Sequence, residues 1–250
     1  MPNPTATPGT TATPGYRMNV LIRRRSGVSR DELVANWFAN HMPGVVKAMA
    51  NAALAGQPHA HRYIATLFDA PANGGVPVWD GIAQLWWQQN LGKPPQPHGT
   101  KPVDTFQQKA EPYLPWWVRE YIVLDGALPL APNTLNEPFP CTRSGFFKSS
   151  FLMKAKPGAD LDAFFAHWIG PHAANVASVL KAVGGFRYVI ALSTEPREEE
   201  FCGHAEVYFP NAEAHQRFQR ELKPDGMERW MDAERSLSFA SGTEMVGIPG

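Results

Sequence analysis

This chain repeats itself, and the repeat limits its possible folds more than any other property. Shifted by 131 residues, Gly27 falls on Gly158, Trp37 on Trp168, His41 on His172 and Val45 on Val176, without a gap. Trp and His are uncommon residues, so four such matches point to a duplicated unit. The period is too long for a solenoid and suits a duplicated domain. Each copy opens with a strand-like run that ends in a Gly turn, at 18–27 and 146–158, and a helix-like run follows. In the first, Ser29 and Glu32 make a capping-box start, and Leu33, Trp37, His41 and Val45 recur on one face. In the second, Asp160 can cap, and Phe165, Trp168, His172 and Val176 form the same face.

The repeat continues through two further strands, 61–65 against 186–190 and 80–86 against 202–208. A second helix follows each, one over 103–114 and one starting at Asn211. A last strand closes each copy, at 118–126 and 237–248, with Glu120 matching Glu244. The order β-α-β-β-α-β is the ferredoxin-like split unit, an antiparallel sheet with two helices on one face. The other face of each sheet must also be buried. The expected fold class is therefore α+β: two ferredoxin-like modules in tandem, forming a pseudo-symmetric dimeric α/β barrel. Residues 1–15, rich in Pro, Thr and Gly, read as a disordered tail. Module 1 spans 16–126, a Pro-rich linker 127–142 and module 2 143–250. Module 1 alone carries long irregular insertions, 69–79 and 90–102, of a length that often serves as a lid.

Charge narrows the partners. With 23 basic and 23 acidic residues the formal net charge is zero, which gives no electrostatic footprint for nucleic acid or an anionic membrane. The run Arg23-Arg24-Arg25 reads as strand end and turn. No apolar stretch approaches the length of a membrane span, and residues 1–15 lack the basic start and apolar middle of a secretory signal. Cys141 and Cys202 are the only cysteines, too few for a disulfide framework and without zinc-like spacing. A cytoplasmic protein is the expectation, and a pairing of the two thiols stays open.

A strand, a Gly turn and a helix carrying Trp37, Phe38, His41 and Pro43 together resemble the EthD family of dimeric α/β-barrel proteins. Arg62-Tyr63, Asp80-Gly81 and Glu120 resemble that family's strand positions. The second copy matches at Gly158, Trp168, His172, Arg187-Tyr188, Gly203 and Glu244, but has Ala174 for Pro43 and Cys202 for Asp80. The resemblance covers residues 16–126 and 143–248. It implies a small-molecule-binding barrel related to isomerases, cyclases, decarboxylases and monooxygenases that use no organic cofactor. The wider superfamily also contains heme proteins.

His41 and His172 are the sharpest candidates, since an inward imidazole titrates near neutral pH and suits proton transfer. Each can equally be a helix-end group bonded to a carbonyl. Tyr63 joins them as a catalytic candidate, able to hold a substrate oxygen, or else is a core phenol. Trp37, Trp168, Tyr188, Arg62 and Glu120 are candidate substrate-binding residues, although Arg62 alternates with Tyr63 and so faces the other side of the sheet. Trp79, Trp86, Trp87, Trp116 and Trp117 make an aromatic-lined cavity in the first half plausible, with Trp86 and Trp87 on opposite faces. The histidines at 59, 61, 167 and 204 show no third or fourth metal ligand at zinc-like spacing. The expectation is an enzyme without cofactor or metal, acting on an aromatic or oxygenated organic compound. The alternatives are a heme-binding barrel with His41 or His172 as axial ligand, and a non-catalytic ligand- or partner-binding protein. An internal pseudo-dimer is expected, with a further homodimer left open.

Overall fold

A computed structural model describes residues 10–71, 75–127 and 139–250. The first elements are β1 (Thr11–Ala12), β2 (Tyr16–Ile22), α1 (Arg30–Asn36), a π turn (Trp37–His41) and α2 (Met42–Leu54). β3 (Ala60–Leu67), β4 (Gly81–Trp87), α3 (Thr105–Lys109) and β5 (Trp116–Asp125) follow. The second copy gives β6 (Cys141–Met153), α4 (Leu161–His167), a second π turn (Trp168–His172) and α5 (Ala173–Ala182). It continues with β7 (Arg187–Ser193), β8 (Gly203–Phe209), α6 (Ala212–Glu221) and β9 (Leu237–Ile248). The fold class is the expected α+β, with two ferredoxin-like modules in tandem.

The chain divides into two compact units. The first is built on Gly15–Trp117 and takes in Gly242–Gly250. Its strands run β2-β4-β3-β9, all antiparallel, with Tyr63 opposite Ile248 and Leu67 opposite Thr243 at the last pairing. The second is built on Gly145–Ser241 and takes in β5 from Val118 onward. Its order is β6-β8-β7-β5-β1, with Val118 opposite Ser193 and Thr11 opposite Ile122. The strand that closes the first copy is thus paired within the second unit, and the strand that closes the second copy within the first.

The expected tail, 1–15, lies outside the described residues up to residue 9. Thr11 and Ala12 are not disordered but form β1, which pairs with β5. Of the expected linker, residues 128–138 lie outside the described residues, and Cys141 already belongs to β6. Residues 72–74 of the first insertion are likewise outside them. The second helix of the first copy is much shorter than the expected 103–114. Pro112 disfavours helix at the residue before it, and Ala110 turns extended to bridge Arg24.

The long first helices are not continuous. Each is interrupted at the same place by a π turn that runs from the Trp to the His. Its bonds reach one residue further back than an α turn's: Met42 N–H donates to the Trp37 carbonyl and Ala173 N–H to the Trp168 carbonyl. Proline supplies part of the reason, because Pro43 and Pro171 lack the N–H an α-helix requires. The wider turn brings residues four apart nearly over each other, and such turns recur at functional sites. Ser29 and Asp160 cap the helices as expected, bonding the N–H groups of Glu32 and of Asp162 and Ala163.

In each unit the helices pack on one face of the sheet and form the core. Leu33, Trp37, Met42 and Phe106 meet β2, β3 and β4 in the first. Phe164, Trp168, Val176 and Leu180 meet β6, β7 and β8 in the second. The opposite sheet faces carry buried polar pairs. Arg143 meets Glu244 at 2.6 Å in the first unit, and Lys148 meets Glu206 at 2.5 Å in the second. Removing one partner from such a pair leaves an uncompensated buried charge, so these pairs hold their strands in one register.

Candidate functional site

Among the described residues, each unit has a cavity, open to solvent on one side, between its helices and its sheet, and the π turn forms one wall. The first cavity, about 430 Å³, is lined by Trp37, His41, Tyr63, Trp87, Phe106 and Trp117 among others. The second, about 560 Å³, is lined by Trp168, His172, Tyr188, Phe218, Met227 and Met231 among others. Both fall in the size range of small-molecule sites. Strand alternation decides which side chains reach them. Met18, Val20 and Ile22 of β2 and Ala83, Leu85 and Trp87 of β4 face the first cavity. Asn19, Gln84 and Trp86 face away, so the two adjacent tryptophans do separate.

The histidines do not bond backbone carbonyls. His41 Nδ1 lies 2.7 Å from Asp104 Oδ2, and His172 Nδ1 lies 2.8 Å from Asp225 Oδ2. An ionised carboxylate only accepts, so Nδ1 carries the proton in both pairs. Among the described residues Nε2 has no partner, which leaves its lone pair for the cavity that the ring lines. A ring tied at Nδ1 is fixed in tautomer and orientation, the arrangement that serves a general base or a metal-binding imidazole. Phe106 packs against His41 with ring centroids 4.5 Å apart.

Asp104 and Asp225 are the residues that sequence reasoning missed. They stand at unrelated places in the two copies. Asp104 is the N-cap of α3, where its other oxygen accepts from Gln107 N–H. Asp225 follows α6 and accepts from Asn175 at 2.9 Å, from Met227 N–H at 3.2 Å and from His167 at 3.3 Å. A duplicated pattern could not flag residues that are not duplicated. The available signal was an acidic residue in a loop within one turn of the second helix of each copy.

The electrostatics of the second pair are well defined. Burial works to raise the Asp225 carboxyl, but Asn175, His172 and His167 outweigh it and hold its pKa at about 2. His172 goes the other way: burial lowers its pKa, and Asp225 offsets this only in part. The pair is therefore a carboxylate beside a neutral imidazole at neutral pH. Burial also raises Tyr63 and Tyr188, so both phenols stay protonated. The Tyr63 hydroxyl accepts from the Trp37 indole N–H at 3.0 Å and keeps its own proton to donate.

Of the residues singled out from sequence, His41, Tyr63 and Trp37 come together at the first cavity, and His172, Trp168 and Tyr188 at the second. Arg62 and Glu120 line neither, a correction to their assignment as substrate-binding residues. Arg62 stacks over Trp86 at 4.6 Å on the sheet face away from the helices. Glu120 is buried on β5, opposite Ala191 of β7. The period of two in a strand puts the neighbours of inward residues on the wrong side. Among the described residues no group of three or more His, Cys, Asp or Glu is placed to hold a metal ion. Cys141 and Cys202 are buried free thiols, and no helix among the described residues is long and apolar enough to cross a membrane.

No protein-family model matches the chain, and no curated protein matches it. The likeness to EthD proteins thus rests on the motif residues alone. Among solved structures, the chain is similar to a heme-binding protein from Thermus thermophilus, with 12% identity and a TM-score of 0.46 over 94% of this chain and 93% of that one. It is also similar to a mutant chlorite dismutase from Candidatus Nitrospira defluvii, with 10% identity and a TM-score of 0.45 over 93% of this chain and 91% of that one. Neither likeness is close enough to assign a chemistry. The expectation that no cofactor is involved is nevertheless withdrawn, because a heme-binding protein stands among the structures this chain resembles.

Proposed function

We propose that the chain is a small-molecule-binding enzyme whose two cavities take aromatic or oxygenated organic compounds, with His41 and His172 as the groups that move a proton. The observation that carries this is the repeated His–carboxylate pair on the wall of an apolar cavity. The neutral imidazole receives a proton at Nε2 from an acidic C–H or O–H of the ligand. The carboxylate at Nδ1 stabilises the imidazolium that forms, and the surrounding apolar walls strengthen that interaction. Tyr63 and Tyr188 sit in the same cavities as neutral phenols, suited to donate to a ligand oxygen as negative charge grows on it. Such a step opens isomerisation, cyclisation, decarboxylation and oxygenation alike.

A benzo-fused cyclic ketone, 2-tetralone, serves as probe. Saturable quenching of tryptophan fluorescence is expected, together with faster exchange of its α-hydrogens in heavy water. His41→Ala and His172→Ala should each remove one cavity's share of that exchange, and the double variant should lower it roughly a hundredfold. Tetralone that fails to quench would sink this reading.

A second reading applies to the second cavity. It is the larger of the two, its walls carry Met153, Met227 and Met231, and His172 presents a neutral Nε2. Lys223, also in its lining, suits a carboxylate. Were a heme held here, His172 would be its protein ligand through Nε2 and Lys223 would meet one of its carboxylates. A bound heme would supply redox chemistry, while Asp225 would fix the imidazole and make it a stronger donor. On this reading, added heme gives a shifted, sharpened Soret band that His172→Ala returns to that of free heme and His41→Ala does not. A spectrum equal to that of free heme rules it out.

A further inference from the structure

The first cavity has a second imidazole at its mouth. His98 lies in the 90–102 insertion, lines the cavity and is exposed to solvent. The insertion is a fixed rim rather than a loose lid. The Trp117 indole N–H donates to the Gly92 carbonyl at 2.7 Å. His98 and Tyr113 exchange two backbone bonds, of 2.8 and 3.0 Å. Gly92 and Gly99 take φ of 71° and 78°, turns that only glycine makes without strain. The backbone of His98 is thus held while its ring nitrogens have no hydrogen bond among the described residues.

The ring stands beside Tyr113, with centroids 5.7 Å apart, and Tyr113 and Phe106 link it to His41 through successive ring contacts of 6.2 and 4.5 Å. Burial, and His41 whenever it carries a proton, lower the His98 pKa, so the ring is neutral at pH 7 and able to accept a proton. Among the described residues, the charged and titratable groups around it include His41, Asp104 behind His41, Tyr113, Lys93 on the rim, and Arg25, whose guanidinium donates to the neighbouring Gly99 carbonyl at 3.4 Å. Among the described residues lining the second cavity, His172 is the only histidine.

We propose that His98 is the proton shuttle of the first cavity, the group that carries to solvent the proton His41 removes from a benzo-fused ketone or a phenol. This rests on His41 being the proton acceptor. The ligand C–H or O–H breaks and its electron pair stays behind as enolate or phenolate. The proton passes to His41 Nε2, then through water in the cavity that both rings line to a free nitrogen of His98, then to bulk water or buffer. Return of a solvent proton runs the same path backwards, so nothing is oxidised or reduced. The carboxylate of Asp104 stabilises His41 while it is charged, and the exposed ring of His98 returns it to neutral.

The test uses the full chain carrying His172→Ala, which silences the second cavity; His172→Gln replaces it should the alanine variant not fold. The α-hydrogen exchange of 2-tetralone in heavy water is followed by proton NMR. Adding His98→Gln should slow exchange by roughly tenfold or more and leave the quenching midpoint unchanged. Free 4-methylimidazole should restore the rate, which a merely structural role would not allow. Exchange as fast without His98 as with it overturns the proposal. So does a slow rate that 4-methylimidazole leaves slow, or quenching with no exchange in the parent. Loss of quenching itself would instead strike at the cavity as a ligand site, and the shuttle would fall with it.

Discussion

Trp168→Ala is expected to cost about 3–5 kcal/mol of stability, measured as a fall in the urea midpoint at unchanged slope. That is a large part of what a domain of this size commands. Trp168 is fully buried and is stacked on Phe164, with centroids 5.5 Å apart. Its ring lies so close to β8 that a Cβ on Gly203 would meet it at 2.6 Å. The first unit repeats the arrangement in Trp37 and Gly81, where the added Cβ would meet the ring at 3.2 Å and the Thr66 carbonyl oxygen at 2.5 Å. The strand glycine thus makes room for the tryptophan of the π turn, and this packing sets where the His at the end of that turn points. An unchanged midpoint would show that the turn is not held by its tryptophan.

Asp225→Asn should cost about 2 kcal/mol at neutral pH, and the variant should lose an acid-sensitive component of stability. The folded carboxyl titrates at about 2, below an unfolded value of roughly 3.9. A group whose pKa is depressed on folding stabilises the native state above the unfolded pKa. That contribution falls away as pH drops from about 4 toward 2. Its side chain is 16% exposed, so solvent screens the interaction only in part. Urea midpoints taken between pH 2 and 7 check this. A variant with the same pH dependence as the parent would mean that Asp225 is not the group responsible. The substitution also leaves His172 and His167 without their shared carboxylate, so the imidazole loses its fixed orientation along with its counter-charge.

Much of the fold was legible in the sequence because the chain states it twice. The spacing of Trp37 to His41 and Trp168 to His172, the turn glycines at 27 and 158, and the strand runs indicated the element order. The bounds of β9 were read correctly at 237–248. Helix length was read less well: Pro43 and Pro171 broke what the apolar period alone presents as continuous helix, and Pro112 cut short α3. The pairing of β5 with β7 and of β9 with β3 was not foreseen, because strand partners are chosen by three-dimensional contact and leave no local pattern.

The candidate sites divide the same way. That the two histidines share an apolar face with the two tryptophans follows from helical spacing, which is local. That each histidine meets a carboxylate does not. His41 and Asp104 are 63 positions apart, and His172 and Asp225 are 53. The two acids come from opposite ends of their short helices, so no repeat marks them. His98 reaches its cavity only because Trp117 and Tyr113 pin the insertion that carries it. Which side chains share a face could be read from residue order, since the backbone period fixes it one turn or one strand at a time. Which charged groups face one another could not, since that depends on loops whose course is set by packing and hydrogen bonds distant along the chain.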